Sequence, residues 1–285
     1  MPKRKNTCIV LAEDCAGLGP LHESCKLANV NARYLYVSES DPKLLQRLVK
    51  ICKPKFVSKD ATKSQKAKGE SAYTCLVLDA LVNLTAVWAR NWAIRLKSNG
   101  YYNVSWKVLD SRQIGGLPQR RQRLWIIGVR KDVGKFKWPK PLRGWRDIKL
   151  SNFLGRKNLD YEFPTSRSGK KRLVAGIETL VQDGHSLDDT WVIDTGASEQ
   201  FSGHPAHELC PCLTRTRGGC PSFWITSHKR FLNLREKAIV MGWDPSTLMP
   251  ESLSSCELGQ ALRNAWPLTV SARLVGQLKR LFKWN

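Results

Sequence analysis

Apolar residues follow two different spacings across residues 1–130. Short apolar runs, such as Tyr34-Leu35-Tyr36-Val37, alternate with stretches in which apolar residues recur every three or four positions. The first spacing predicts buried strands, and the second predicts helices. Because strands alternate with helices, the pattern indicates an α/β fold with a parallel or mostly parallel sheet and helices on both faces. Strands are predicted at residues 8–11, 34–37, 75–78, 105–109 and 124–129, and helices at residues 20–29, 42–52 and 87–97.

The alternation ends near Lys131, and proline, glycine, tryptophan and charged residues then mix without a clear period as far as Phe223. This composition predicts a second lobe of short strands and loops. Helical spacing returns at residues 234–241 and 268–282. We therefore predict a first domain over residues 1–130, a smaller irregular lobe over 131–226 and a return to the first domain over 227–285.

The chain is strongly basic along its whole length. Its 285 residues include 47 lysines and arginines against 24 acidic residues, which gives a net charge of +23. Such an excess attracts polyanions through counterion release, so nucleic acid is the expected partner and an anionic membrane the weaker alternative. Hydrophobic residues make up 42% of the chain, enough for a core. No apolar run approaches the roughly 20 residues of a membrane-spanning helix, so no membrane association is predicted.

The nine cysteines are an odd number, and no signal peptide precedes them. We therefore expect reduced thiols and an intracellular protein, located in a nucleus or nucleoid, that acts as a monomer. The short basic run Lys3-Arg4-Lys5 is compatible with a nuclear address.

A glycine-containing segment links the first predicted strand to the first predicted helix. In Glu13-Asp14-Cys15-Ala16-Gly17-Leu18-Gly19, the glycines allow close approach of a ligand to the backbone, and the helix start offers free amides. Glu39 follows the second strand, where a carboxylate can accept hydrogen bonds from both ribose hydroxyls. Asp60 stands further along, at a place suited to an adenine contact. Each acid could instead be a helix cap or a loop charge, but their repetition after successive elements favours a nucleoside cofactor.

Three arginines stand at the start of the fifth predicted strand, in Leu117-Pro118-Gln119-Arg120-Arg121-Gln122-Arg123. An unpaired guanidinium is costly to bury, so charges in this place indicate a site. Planar guanidinium groups bind phosphate or a charged transition state with paired donors. A solvated basic turn is the alternative interpretation.

Taken together, these segments resemble the DNA cytosine methyltransferases that modify ring carbon 5 with S-adenosylmethionine. Glu13 to Gly19 resembles the first cofactor motif, although the family usually has Asp at the place of Glu13. Glu39-Ser40-Asp41-Pro42 resembles the ribose-binding motif. The remaining similar motifs are Asp60-Ala61-Thr62, the Gln-x-Arg-x-Arg motif at 119–123, Arg235-Glu236 with Met241-Gly242-Trp243, and Gly259-Gln260-Ala261-Leu262-Arg263-Asn264-Ala265, in which Arg263 replaces a glycine.

The resemblance implies a Rossmann-like S-adenosylmethionine-dependent methyltransferase sheet, a target-recognition lobe and double-stranded DNA as the partner, with the target base flipped out of the helix. It assigns Arg121 and Arg123 to positioning of the flipped base or stabilisation of its adduct. Gln119, Arg215 and Arg217 are assigned to DNA binding. The cofactor-binding residues that it implies are Glu13, Ala16, Gly17, Leu18, Gly19, Glu39, Ser40, Asp60, Ala61, Asn264 and Ala265.

The nucleophile of the family reaction is missing from its expected place. The family uses a cysteine in a Pro-Cys-Gln loop, but the chain has no Pro-Cys dipeptide between Asp60 and the arginine motif. The one such dipeptide is Pro211-Cys212, in the irregular lobe. Asp79, after the strand at 75–78, replaces the glutamate of the next motif and is either a short substitute or a strand-end cap.

A whole strand-loop-helix unit is absent from the same interval. Residues 63–70, which fill much of the span between Asp60 and Asp79, contain no apolar run able to form a central strand. The lysine-rich residues 50–68 are predicted to be an exposed connection. Either the flanking strands pair directly or a gap remains in the sheet; we predict direct pairing of residues 9–11 with 76–78.

Three explanations account for the missing nucleophile segment. The chain is a methyltransferase-like protein that is inactive or incomplete as written, a non-catalytic DNA-binding or regulatory remnant of the same fold, or the product of a gene model that omits a segment. A zinc module built from His204, His207, Cys210, Cys212 and Cys220 is a further alternative, but the spacing is not a standard one and we predict no metal site.

Overall fold

The computed structural model of the protein describes residues 9–13, 19–59, 75–81, 94, 98, 100–157, 161–197, 204–214, 221–248 and 253–281. The chain forms two compact units. The first unit comprises residues 1–115, 122–142 and 265–285, and the second comprises residues 116–121 and 143–264. These units differ from the domain boundaries that the sequence predicts, because residues 227–264 pack with the irregular lobe and only the last segment returns to the first unit.

The described residues form ten strands and eight α-helices. The strands are β1 (Ile9–Glu13), β2 (Ala32–Ser38), β3 (Phe56–Ser58), β4 (Cys75–Leu81), β5 (Tyr102–Asp110), β6 (Gln122–Arg130), β7 (Trp191–Asp194), β8 (Ala206–His207), β9 (Phe223–Ile225) and β10 (Arg230–Phe231). The helices are α1 (Pro20–Leu27), α2 (Pro42–Cys52), α3 (Ser111–Gly115), α4 (Arg167–Gln182), α5 (Leu234–Val240), α6 (Pro245–Leu248), α7 (Ser255–Asn264) and α8 (Leu268–Leu281).

The helix α2 shows how local sequence fixes an element in the first unit. Asp41 caps its first turn, accepting hydrogen bonds from the backbone N–H groups of Lys43 at 2.9 Å and Leu44 at 3.0 Å. Pro42 occupies the first helical position, where its missing N–H has no cost. The apolar face then buries Leu45 and Leu48 in a cluster that includes Val37 and Cys52. The packing of α2 against Val37 thereby fixes the position of the segment that follows β2.

The strands of the first unit form two separate sheets. Strands β1, β2 and β3 form a parallel sheet in that order, and β4, β6 and β5 form an antiparallel sheet. The expectation of a mostly parallel sheet is therefore correct only for the first of these. The short strand β3 also lies within residues 50–68, which the sequence predicts to be an exposed connection.

The predicted direct pairing of residues 9–11 with 76–78 is wrong. Among the described strands, β1 has its ladder with β2 and β4 has its ladder with β6, and no ladder joins the two sheets. The alternative, a break in the sheet, agrees with the structure. Its physical reason is that β4 forms seven residues of ladder with β6, whereas none of the strands that the structure describes bridges from β4 to β1.

The core of the first unit lies between β6 and α8. Seven consecutive residues of β6 are buried, which explains its continuous apolar run. Trp125 packs with Leu109, Ile114, Val270 and Leu274. The Ser24 and Ser271 hydroxyls are hydrogen-bonded at 2.6 Å and join α1 to α8. The C-terminal segment is therefore part of this core.

The second unit contains the four-stranded antiparallel sheet β10-β9-β7-β8 and the long helix α4. The sequence predicts only short strands and loops here, and the helix is a correction to that prediction. Ser166 caps α4, and Leu173 and Leu180 pack with Ile193 and Trp224. Charged residues in the first turns conceal this apolar stripe in the sequence.

None of the described helices is long and apolar enough to cross a membrane. The helix predicted at 87–97 falls outside the described residues except for Ile94, which has helical backbone, as does Ser98 beyond it.

Candidate functional site

Glu39 lies directly after β2, at the carboxyl edge of the parallel sheet. Its Oε1 accepts a hydrogen bond from the Ser40 hydroxyl at 3.3 Å and from the Asp41 backbone N–H at 3.1 Å. The side chain is half-buried. Glu13 pairs with Val37 in the β1–β2 register, so the two strands carrying the predicted acids end at the same sheet edge. A carboxylate held here is suited to accept hydroxyl hydrogens from a ribose.

Gly19 meets a strict geometric requirement at the entrance to α1. Its φ is +78°, and a Cβ on it would lie 3.2 Å from both Ile51 Cδ1 and Leu48 Cδ2. The turn therefore needs a glycine both for its backbone conformation and for the close approach of α2. Several other predicted cofactor residues, namely Ala16, Gly17, Leu18, Asp60 and Ala61, lie outside the described residues.

Two of the three arginines in the Gln-x-Arg-x-Arg motif are buried. Arg121 is 2% exposed and Arg123 is 9% exposed, whereas Arg120 is exposed. This burial rules out the alternative of a solvated basic turn for the motif as a whole. Gln119 is fully buried, which argues against its predicted role as a direct DNA contact.

The buried Arg121 links parts of the second unit that are far apart in sequence. Its guanidinium donates to the Arg263 backbone carbonyl oxygen at 3.0 Å and to the Cys212 Sγ at 3.6 Å. The adjacent backbone reinforces this junction: the N–H of Cys210 donates to the Pro118 carbonyl at 2.7 Å. Arg121 therefore holds the arginine motif against the end of α7 and the Pro-Cys segment.

The end of α7 carries the Asn-Ala pair that resembles the closing cofactor motif. Arg263 Nε donates to Asn264 Oδ1 at 3.1 Å, and the Asn264 side chain is exposed. Ala265, in contrast, is buried. Arg263, which stands where the family has a glycine, thus holds the side-chain amide of Asn264.

Asp79 does not follow a strand. It lies inside β4, opposite Trp125 of β6, because the ladder with β6 continues to Leu81. The alternative of a strand-end cap at this position is therefore wrong, and so is the predicted end of the strand at residue 78.

The residues of the zinc alternative do not converge. Within the described part of the chain, no group of three or more His, Cys, Asp or Glu residues could hold a metal ion. The His207 ring contacts Trp191 in a tilted arrangement, with 4.5 Å between centroids. Burial raises the pKa of the Cys210 thiol far above its ordinary value, which keeps it protonated. Cys220 lies outside the described residues.

A buried ion pair between Arg230 and Glu236, which the sequence did not predict, stabilises the second unit. Arg230 and Glu236 are each 3% exposed at the side chain, and Arg230 donates to the two Glu236 carboxylate oxygens at 2.7 Å and 2.9 Å. Glu236 also accepts from the backbone N–H groups of Gly155 and Asn233. The Asn-x-x-Glu spacing of a capping box at 233–236 is the signal that could have indicated this role.

Comparison with known proteins identifies the family. The family model described as C-5 cytosine-specific DNA methylase matches residues 80–270, about two thirds of the chain. The chain belongs to the C-5 cytosine-specific DNA methylase family. The predicted membership of this family is thereby confirmed. In this methylase-family chain, Gly19 and Glu39 precede the matched span.

Two solved structures resemble this chain in fold, and one further relative resembles it in sequence over a short stretch. The structure of S. pombe Dnmt2 methyltransferase superimposes with a TM-score of 0.63 at 13% identity, covering 96% of this chain and 99% of that one. Entamoeba histolytica methyltransferase EhMeth superimposes with a TM-score of 0.60 at 14% identity, covering 96% and 98%. Type II methyltransferase M.MthTI of Methanothermobacter thermautotrophicus is 50% identical over 55 residues, which span 19% of this chain and 16% of that protein. The chain thus has the α/β fold of S-adenosylmethionine-dependent methyltransferases.

Proposed function

We propose that this chain binds S-adenosylmethionine and double-stranded DNA as its family does, but does not transfer the methyl group. The observation that carries the proposal is the absence of a Pro-Cys dipeptide between Asp60 and the arginine motif. The break between the β1 and β4 sheets supports it, because the family's nucleophile loop follows the strand that is expected between them.

The described residues fit the nucleoside part of the cofactor. Glu39 places a carboxylate at the carboxyl edge of a parallel sheet, and Gly19 lets the chain turn tightly into α1. When bound, the cofactor supplies a sulfonium methyl group. Further cofactor contacts are proposed for Glu13, Ala16, Gly17, Leu18, Ser40, Asp60, Ala61, Asn264 and Ala265.

The basic charge of the chain supports DNA as the second ligand. We propose Arg215 and Arg217 as phosphate or base contacts, since they follow the Pro-Cys segment in a stretch that resembles the end of a target-recognition lobe. Arg123 is proposed to position the flipped base. Arg121 is proposed to act indirectly, because its guanidinium is already bonded to Arg263 and Cys212.

Among the thiols that the structure describes, none is a ready substitute for the missing nucleophile. Cys212 follows a proline and lies beside Arg121, which makes it the strongest alternative. It belongs to the irregular lobe rather than to a loop after a sheet strand. A displaced nucleophile at Cys212 is therefore the competing hypothesis, and the variant Cys212→Ser distinguishes it.

Calorimetric titration tests the cofactor part of the proposal. We expect wild-type protein to bind S-adenosylmethionine, and the variant Glu39→Gln to bind about tenfold or more weakly, since hydrogen bonds to a charged group contribute about 1.5–3 kcal/mol. Glu178→Gln, an exposed position on α4, serves as the control and should bind like wild type. Absence of binding by the folded wild-type protein would refute cofactor binding, and equal affinity of Glu39→Gln would refute the role of Glu39.

A further inference from the structure

Two exposed aromatic rings lie on a fixed segment of the second unit. Tyr161 and Phe163 are each 58% exposed. Phe163 stacks on Trp224, with 6.5 Å between ring centroids and 26° between planes. We call Tyr161, Phe163 and the neighbouring Lys229 the aromatic platform. Because the two rings are near neighbours in the chain and both exposed, they are a candidate ligand contact rather than scattered surface residues.

Hydrogen bonds hold the platform in place. The Trp224 indole N–H donates to the Glu162 carbonyl oxygen at 2.7 Å, and the Glu162 N–H donates to the Lys229 carbonyl oxygen at 3.0 Å. The Glu162 carboxylate accepts from the Phe231 N–H at 3.2 Å. The segment is thus tied to both β9 and β10, and its aromatic side chains are presented by an ordered backbone.

One basic side chain lies over the Tyr161 ring, and two more stand in the first turn of the helix that follows. Lys229 Nζ lies 4.9 Å from the centroid of the Tyr161 ring, and the Lys229 backbone has φ of +51°. Pro164 continues the segment into the first turn of α4, where it packs against Gly169. That turn carries the exposed Arg167 and Lys170 and no acidic residue. Cations at a helix N-terminus oppose the helix dipole, so an anionic ligand would relieve this arrangement.

We propose that the aromatic platform binds unpaired nucleobases of a nucleic-acid strand, while Lys229, Arg167 and Lys170 hold its phosphates. Every base offers a π face, and aromatic side chains beside lysines and arginines are the usual elements of single-strand binding. A protein partner fits less well, because lysine is depleted in the centre of protein interfaces. None of these residues is among the proposed cofactor or duplex contacts, and the proposal does not depend on those contacts.

The test measures anisotropy of a fluorescent single-stranded oligonucleotide, as DNA and as RNA of the same sequence. We expect the double variant Tyr161→Ala/Phe163→Ala to bind either strand at least about tenfold more weakly, given the usual contribution of stacking on two rings. Binding of the corresponding duplex should change less than twofold. The DNA and RNA arms show which sugar the site accepts. Tyr101→Ala removes an exposed ring from the first unit and should leave single-strand affinity unchanged.

Two further variants separate stacking and charge from loss of structure. Tyr161→Leu/Phe163→Leu keeps an apolar contact for Trp224, so it should remain folded by circular dichroism while losing most of the single-strand affinity. Lys229→Gln should weaken binding a few-fold and reduce the slope of log affinity against log salt by about 0.7. Full single-strand affinity in the folded leucine variant would overturn the proposal. So would wild-type protein that binds S-adenosylmethionine and duplex DNA but not the single strand, a result that leaves the proposed function intact.

Discussion

Replacing Glu236 with alanine should lower the free energy of unfolding of the second unit by about 3–5 kcal/mol. The substitution leaves the Arg230 guanidinium buried without its carboxylate partner. It also removes the acceptor for the backbone N–H groups of Gly155 and Asn233. These groups come from two segments of the unit that are far apart in sequence, at Gly155 and at residues 230–233, so a local rearrangement is not expected to repair the loss.

Urea denaturation measures this effect. Glu178→Ala, on the exposed face of α4, is the matched control and should stay within about 0.5 kcal/mol of wild type. The double variant Arg230→Met/Glu236→Leu removes both charges and should recover much of the loss, since apolar pairs often replace buried ion pairs well. A loss below about 1 kcal/mol for Glu236→Ala would contradict the assigned role.

The same pair gives the unfolding free energy a pH dependence of defined sign. Burial by itself would raise the pKa of Glu236, but the hydrogen bonds from Arg230, Asn233 and Gly155 lower it below its ordinary value. A carboxyl whose folded-state pKa is lowered contributes stability above its unfolded-state pKa, and this contribution disappears as pH falls through the folded-state pKa. Acidification should therefore destabilise wild type more than Arg230→Met/Glu236→Leu.

Arg121→Lys should cost the second unit about 1.5–3 kcal/mol. Arginine presents its donors as a planar fork, whereas the single ammonium of lysine cannot reach the Arg263 carbonyl and the Cys212 sulfur together. Denaturation should show the loss, with Arg120→Lys as the control, because the neighbouring Arg120 is exposed. Equal stability of Arg121→Lys and wild type would show that the observed bonds do not hold the motif in place.

Local sequence rules predict the elements of the first unit well. The helix α2 occupies the predicted residues 42–52, because Asp41, Pro42 and an apolar face all favour the same boundaries. The pairing of strands is different, since it depends on contacts between distant segments. The apolar run of β4 does not reveal that its ladder is antiparallel to β6 and separate from β1.

In the candidate site, too, local sequence predicts some features, and contacts between distant segments decide the others. The position of Glu39 at a sheet edge follows from the strand-helix order, and the structure places it there. The burial of Arg121, its bond to Arg263 and the location of Asp79 inside β4 depend on long-range packing. The helix α4 is missed because the basic residues of its first turns interrupt the apolar period.

We propose that binding of S-adenosylmethionine and of DNA persists in this chain although the attacking thiol of the methylase family is missing from its expected place. The most direct measurement incubates the folded protein, shown to bind S-adenosylmethionine, with the labelled cofactor and double-stranded DNA. We expect no labelled methyl group in the DNA, for wild type and for Cys212→Ser alike. Label in the DNA with wild-type protein, lost in Cys212→Ser, would contradict the claim and identify Cys212 as the nucleophile.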